Sequence, residues 1–307
     1  MEYKMKREQL EREEILKNRT IYGAPCRISN WFEDKALQEH MILYTKYKGE
    51  RCSLLIQKTK KMFRNLLRPT RLSTDTEFLK HGYNYRIKAL DVPNLLTPEL
   101  REKGNVQGLY LSGVVTDREI DTVQELTHGC TVSAAAGKLP CVRNTFKLVG
   151  CDHDACGEPV LYEKDFFIQI ADDGKVPLYL RCESISMGAI GVEREVHMSQ
   201  IADNQCRFKL LDWNPNVRYE TSGSVVSPRS RVMIQHSASG QNLAVQYNKF
   251  MPTFFGVECC IVCKTYRDTH KMECMENFWT FIGEEPLNKN MIVRAAQGED
   301  IPDDYLE

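Results

Sequence analysis

Cys260, Cys263, His270 and Cys274 follow the pattern C-x2-C-x6-H-x3-C, which has the ligand types and number of a structural zinc site. The residues between them oppose that chemistry. The CxxC interior is Ile261-Val262, without the glycine that lets a knuckle wrap a metal. Val257 to Thr265 reads as a strand, in which Cys260 and Cys263 point to opposite faces. Cys151-x-His153-x2-Cys156 lacks a fourth ligand, and Asp152, Asp154 and Gly157 suit a polar turn. His128-Gly129-Cys130 sets an imidazole beside a thiol, but with 7 His and 12 Cys in the chain such neighbours arise by chance, and Gly129 is accounted for as a helix-ending residue. Asp172-Asp173-Gly174 offers paired carboxylates between Ile170 and Leu178, where a hairpin turn needs those residue types. No G-x-S-x-G elbow, P-loop, GxGxxG or HExxH occurs. The sequence nominates no catalytic residue, no metal ligand and no cofactor.

The elements around these residues are mostly short and β-like. Tyr85 to Leu90, Phe166 to Ile170 and Arg231 to His236 each read as a strand, and each is followed by a second at Leu109-Tyr110-Leu111, Leu178-Tyr179-Leu180 or Asn242 to Val245. Leu111, Leu180 and Leu243 thus mark a weak threefold repeat, the pattern of a β-trefoil. Thr116-Asp117-Arg118-Glu119 predicts a capping box opening a helix, with Ile120, Val123 and Leu126 on one face. The expected organisation is a charged helical arm over 1–21, a basic helical and extended segment over 22–80, a mostly β, trefoil-like domain over 81–283, and an acidic tail over 284–307. The arm pairs Glu8 with Arg12 and Glu13 with Lys17 at helical spacing. The tail holds Pro286, Pro302 and seven acidic residues from Glu284 to Glu307 against Lys289 and Arg294, a composition that lies extended on a partner or stays disordered.

The chain has 307 residues with 42% hydrophobic and 27% charged, room for one large domain with extensions or two small ones. The apolar run from Val257 to Cys263 is broken by Glu258 and is far too short to span a membrane. The charged N-terminus has no signal-peptide core, so a cytosolic setting with reduced thiols is expected. The net charge is −1, yet 46–71 concentrates Lys46, Lys48, Arg51, Lys58, Lys60, Lys61, Arg64, Arg68 and Arg71 against Glu50 alone. The spacing predicts one helix over 35–48, with Leu37, Met41 and Tyr44 in register, and a second over 53–67 that Pro69 stops. The second gathers Leu55, Ile56, Met62, Phe63, Leu66 and Leu67 on one side and Lys60, Lys61, Arg64 and Arg68 on the other. Such a stripe either solvates the surface or meets an acidic partner. A nucleic acid and the acidic surface of tubulin both fit. Only Tyr47 and Phe63 in this stretch are aromatic, which disfavours single-stranded nucleic acid. Another acidic or a carbohydrate ligand for the β domain is the remaining alternative.

Gly23-x2-Cys26-Arg27-Ile28-Ser29-Asn30-Trp31-x-Glu33-Asp34, then Leu54 to Lys58 leading to Asn65-Leu66-Leu67-Arg68-Pro69, resembles the opening of the cilia- and flagella-associated protein 161 family. The order continues with Arg143-Asn144-Thr145-Phe146, Phe255-Gly256-x-Glu258, Thr265-Tyr266-x-Asp268-x-His270 and Asn277-x-Trp279. The resemblance implies a β-trefoil of the MIR type and a non-enzymatic microtubule inner protein. Such a protein is fixed to the luminal wall of ciliary doublet microtubules, where it contacts the α/β-tubulin lattice and neighbouring inner proteins, with no nucleic acid or membrane partner. On that expectation the contact to tubulin runs from Arg27 through Arg71. It includes Trp31, Arg51, Lys58, Lys60, Lys61, Arg64 and Arg68, while Leu55, Met62, Phe63 and Leu66 pack on the β domain.

Overall fold

The strands of this chain pair in three rounds of one pattern. The computed structural model describes residues 31–74, 77–93, 108–117, 119–137, 139–151, 156–172, 175–183, 193–284, 296 and 298. Among them lie twelve strands: β1 (Asn84–Ala89), β2 (Leu109–Val114), β3 (Thr131–Ala136), β4 (Phe146–Gly150), β5 (Asp165–Ile170), β6 (Tyr179–Cys182), β7 (Arg194–Ser199), β8 (Arg207–Asp212), β9 (Val232–His236), β10 (Leu243–Thr253), β11 (Gly256–Cys263) and β12 (Phe278–Ile282). Six of them close a ring of antiparallel neighbours, β1 to β4, β4 to β5, β5 to β8, β8 to β9, β9 to β12 and β12 back to β1. The other six form the hairpins β2–β3, β6–β7 and β10–β11, and β3, β7 and β11 pair with one another. A ring has no open edge, so strands that would template aggregation singly are all satisfied.

The strand pairs read from the sequence are the first and second strands of each round. They join through Lys88↔Tyr110, Gln169↔Tyr179 and the bridge Gln235↔Asn242. Leu111, Leu180 and Leu243 each have 0% exposure. Alternation sets the ring's inner face: in β5, Phe166, Ile168 and Ile170 are buried while the residues between them are partly exposed. They meet Tyr85, Ile87, Phe146, Phe208, Ile234, Trp279 and Phe281 in one core. Trp279 Nε1 donates to the Leu243 carbonyl at 2.9 Å, and Asn277 Nδ2 donates to the Lys264 carbonyl at 2.8 Å while its Oδ1 accepts from the Tyr266 amide at 2.8 Å. These side chains satisfy backbone groups that the ladders leave over.

Two local expectations are corrected. Thr116 and Glu119 do form the predicted cap, with the Thr116 amide donating to Glu119 Oε2 at 2.8 Å, but the described residues after it form turns rather than a helix. Ile120 and Leu126 are nonetheless buried, so the apolar spacing reported burial and not helicity. Gly129 has φ +90 and sits in a turn before β3, not at a helix end.

The chain divides into two units, one ending at Gln57 and one beginning at Lys58. In the first, helix α1 (Trp31–Glu50) runs longer at both ends than the spacing predicted. Leu37, Met41 and Tyr44 stand exposed on it, and Arg51 lies 4.3 Å from the Tyr47 ring centroid. Helix α2 (Leu55–Leu66) follows and carries its chain into the second unit. No helix among the described residues is long and apolar enough to cross a membrane.

Candidate cationic face

From Lys58 to Leu66 the chain has no glycine or proline and alternates long straight side chains with apolar ones, which suits a helix. Pro69 prevents its continuation. Met62 and Leu66, four residues apart, are 0% and 1% exposed and belong to the core of the β unit. Phe63, between them, meets Phe255 edge to face at 5.2 Å. The helix is therefore fastened along one line of contacts, and Lys60, Lys61 and Arg64, off that line, are exposed. Leu55, Ile56 and Leu67, expected on the packed side, are 58%, 74% and 48% exposed.

Phe255 is itself held by a buried ion pair. Arg143 and Glu258 are 4% and 3% exposed, and Arg143 Nη2 donates to both carboxylate oxygens at 2.8 and 2.9 Å. Ser133 Oγ donates to the same carboxylate at 2.5 Å, and Arg143 Nε donates to the Gly113 carbonyl at 3.2 Å. The guanidinium lies 3.8 Å from the Phe255 ring centroid, a cation–π stack in a dry site. A contact chain thus runs from β3 and β11 through Glu258, Arg143 and Phe255 to Phe63 on α2. Sequence reasoning missed it, although Glu258 interrupting an apolar strand was a visible sign of a buried charge that needs a partner.

The cations of the segment divide into two sets. Lys58 Nζ pairs with Asp121 at 2.8 Å and its side chain is only 16% exposed. Arg68 pairs with Asp172, which also takes Lys175 at 3.3 Å. Asn65 Nδ2 donates to the Gln124 carbonyl at 3.1 Å. Lys58 and Arg68, both expected to face a partner, instead tie the helix to the turn at 121–125 and the end of β5. Their distance in sequence from Asp121 and Asp172 hid this. Lys60, Lys61, Arg64 and Arg71 are exposed, and their side chains make no ion pair or hydrogen bond among the described residues, although the Arg71 carbonyl accepts from Asn84 Nδ2 at 3.2 Å. Arg27 and the side chain of Trp31 lie outside the described residues, and Arg51 belongs to the first unit.

Among the described residues, the other nominated groups are not brought together as a site; His153, Asp173 and Gly174 lie outside the described residues. Cys260 is half-buried on β11 while Cys263 is buried. Cys263 and Cys182 are both free thiols, and the hydrogen bond from the Cys263 thiol to the Cys182 sulfur lowers Cys182 below and raises Cys263 above the ordinary thiol range. His270 lies in an exposed turn in which Asp268 Oδ1 accepts its amide at 2.8 Å. No group of three His, Cys, Asp or Glu among the described residues is placed to hold a metal. Cys130 is buried, and burial raises its thiol above the ordinary range, the opposite of an activated nucleophile. His128 accepts the Gln200 amide at 3.4 Å. A cavity of about 900 Å³ beside β7 and β11 is lined by Glu183, Glu193, Glu195 and His197 together with Lys249 and Lys264. Its excess of carboxylates disfavours an acidic ligand there.

A family model described as the Cilia- and flagella-associated protein 161-like domain matches residues 58–190 and 183–284. The chain is 29% identical over 278 residues to Cilia- and flagella-associated protein 161 of Mus musculus, covering 88% of this chain and 90% of that protein. It is 26% identical over 291 residues to the protein of the same name from Danio rerio, covering 91% and 93%. A solved Caenorhabditis elegans protein of unknown function, 10% identical, superposes over 69% of this chain and 99% of its own with a TM-score of 0.47.

Proposed function

The chain belongs to the cilia- and flagella-associated protein 161 family, and from that premise we propose that it is a non-enzymatic structural protein of ciliary doublet microtubules. In this reading it binds the acidic luminal surface of α/β-tubulin through Lys60, Lys61, Arg64 and Arg71, stabilises the lattice and meets neighbouring inner proteins. The β unit serves as its scaffold, a β-trefoil of the MIR type. What supports the trefoil is the threefold pairing of β1–β4, β5–β8 and β9–β12 around a closed ring.

The observation that carries the functional reading is the sorting of the cations. Lys58 on α2 and Arg68 just past its end pair with Asp121 and Asp172, while Lys60, Lys61 and Arg64 are held outward by a helix that buried Met62 and Leu66 keep from turning. Like charges left together without counter-ions cost stability unless a negative surface receives them. Single-stranded nucleic acid is disfavoured because Phe63, the one aromatic ring among 58–71, is packed against Phe255 and is not free to stack on a base. The test is Lys60→Glu, Lys61→Glu and Arg64→Glu together, assayed by co-sedimentation with microtubules and by RNA and DNA binding in parallel. Exposed charges contribute ~0.2–1 kcal/mol each, and reversal removes an attraction and adds a repulsion, so microtubule affinity should fall ~10- to 100-fold. Unchanged microtubule binding by the folded variant defeats the reading; a loss confined to nucleic acid replaces it.

A further inference from the structure

We propose that helix α1 joins two copies of this chain, lying antiparallel against the same helix of a second copy. Glu33, Leu37, His40, Tyr44, Tyr47 and Arg51 follow one another at spacings of four, three, four, three and four residues, the a/d seam of a coiled coil. Arg51 carries the seam one residue past the end of α1, since its amide still donates to the Tyr47 carbonyl at 3.3 Å. All six are exposed, and so are Met41 and Leu43, which flank the seam on its two sides. Leu37, Met41, Leu43, Tyr44 and Tyr47 thus stand in water along one side of a single helix. An exposed apolar stripe edged by charge marks an interaction surface.

Charge identifies the partner. The seam begins at Glu33 with Asp34 beside it and ends at Lys48 and Arg51. None of these four is in an ion pair among the described residues; Lys48 and Arg51 lie over the Tyr44 and Tyr47 rings, 4.5 and 4.3 Å from their centroids. A second copy supplies the complement. The seam is symmetric about Ile42, so a two-fold axis there sets Glu33 against Arg51 of the second copy, Leu37 against its Tyr47 and His40 against its Tyr44. On one flank Asp34, Met41 and Lys48 recur at intervals of seven, and the same axis sets Asp34 against the opposite Lys48 and Met41 against its own equivalent. Every contact is made twice. A parallel pair would set acid on acid and base on base, which opposes it. A uniformly acidic surface is repelled by the start of the same stripe. From Glu33 to Arg51 the seam measures ~27 Å. That is a small interface, and the dissociation constant should be on the order of 10–100 μM.

The test uses the full chain. Sedimentation velocity from ~1 to ~300 μM, a range that brackets the affinity of a small interface, should show reversible exchange of monomer and dimer. Leu37→Gln, Tyr44→Gln and Tyr47→Gln together should weaken it ~10-fold or more with unchanged circular dichroism, because all three side chains are exposed. Glu33→Lys with Asp34→Lys should abolish self-association, as should Lys48→Glu with Arg51→Glu. An equal mixture of these two variants should regain it, since each then carries the charges the other lacks. In the wild type, carbodiimide should join Glu33 or Asp34 to Lys48, a link that one helix cannot make within itself because its length holds them ~21 Å apart. A chain that stays monomeric throughout, a mixture that fails to associate, or the absence of that link would overturn the proposal. A monomeric chain whose co-sedimentation with microtubules falls on the three glutamine substitutions would overturn it too, and would give the stripe to tubulin. The cationic face of α2 plays no part in these measurements, so they stand or fall separately from the charge reversal of Lys60, Lys61 and Arg64.

Discussion

Replacing Arg143 with leucine strands the Glu258 carboxylate in a site where only Ser133 still donates to it. Removing one partner of a buried pair typically costs ~3–5 kcal/mol, because the carboxylate that remains has lost its counter-charge and two of its hydrogen bonds. Loss of the stack on Phe255 adds ~0.5–1 kcal/mol. Urea titrations at pH 7 should therefore give a destabilisation of ~4 kcal/mol. Arg143→Leu with Glu258→Leu should recover most of the loss, because no charge is then buried alone. A single-variant penalty below ~1 kcal/mol, or a double variant no more stable than the single, would refute the reasoning.

Burial pushes the thiols of Cys206 and Cys259 up to about 11, whereas Cys52 and Cys156 are exposed. An aromatic disulfide reagent at pH 8 should therefore label Cys52 and Cys156 within minutes and the buried two only on unfolding; equal rates by peptide mapping would contradict the packing. Trp279→Phe keeps the ring and deletes the indole bond to the Leu243 carbonyl, for which Asn277 Nδ2 at 3.3 Å is a partial substitute. The expected cost is ~1–2 kcal/mol in the urea midpoint with an unchanged slope, and a neutral result would mean that Asn277 suffices.

The strands were legible because alternation and β-branched composition are local signals, and the spacing of Leu111, Leu180 and Leu243 reported the repeat even though the intervening sequences differ. The pairing of β1 with β12, across almost two hundred residues, was not legible, since register is set by which faces are buried together. The same division runs through the candidate face. Composition located the cations, and the wheel placed Met62 and Leu66 inward. Neither could tell Lys60 from Lys58, because the difference lies in Asp121, a residue of another round of the fold. Leu55 and Ile56 were misjudged for the complementary reason: amphipathic spacing records a helix's capacity to pack and carries no information about what reaches it.

Three residues distant in sequence support the candidate face from behind. Arg143, Phe255 and Glu258 converge in one cluster, in which the ion pair is buried and the Phe255 ring is half-buried. Their effect is to fix the ring of Phe255, against which Phe63 closes. Phe63 sits between Met62 and Arg64, so the rotation it imposes on the helix is the rotation that sends Arg64, Lys60 and Lys61 outward. A surface that binds by charge needs its cations displayed together more than it needs any one of them, since each contributes little alone. An apolar and ionic clamp behind the helix meets that need: Met62, Leu66 and Phe63, with Arg143 and Glu258 behind Phe255, fix the direction in which the outward lysines and arginine face.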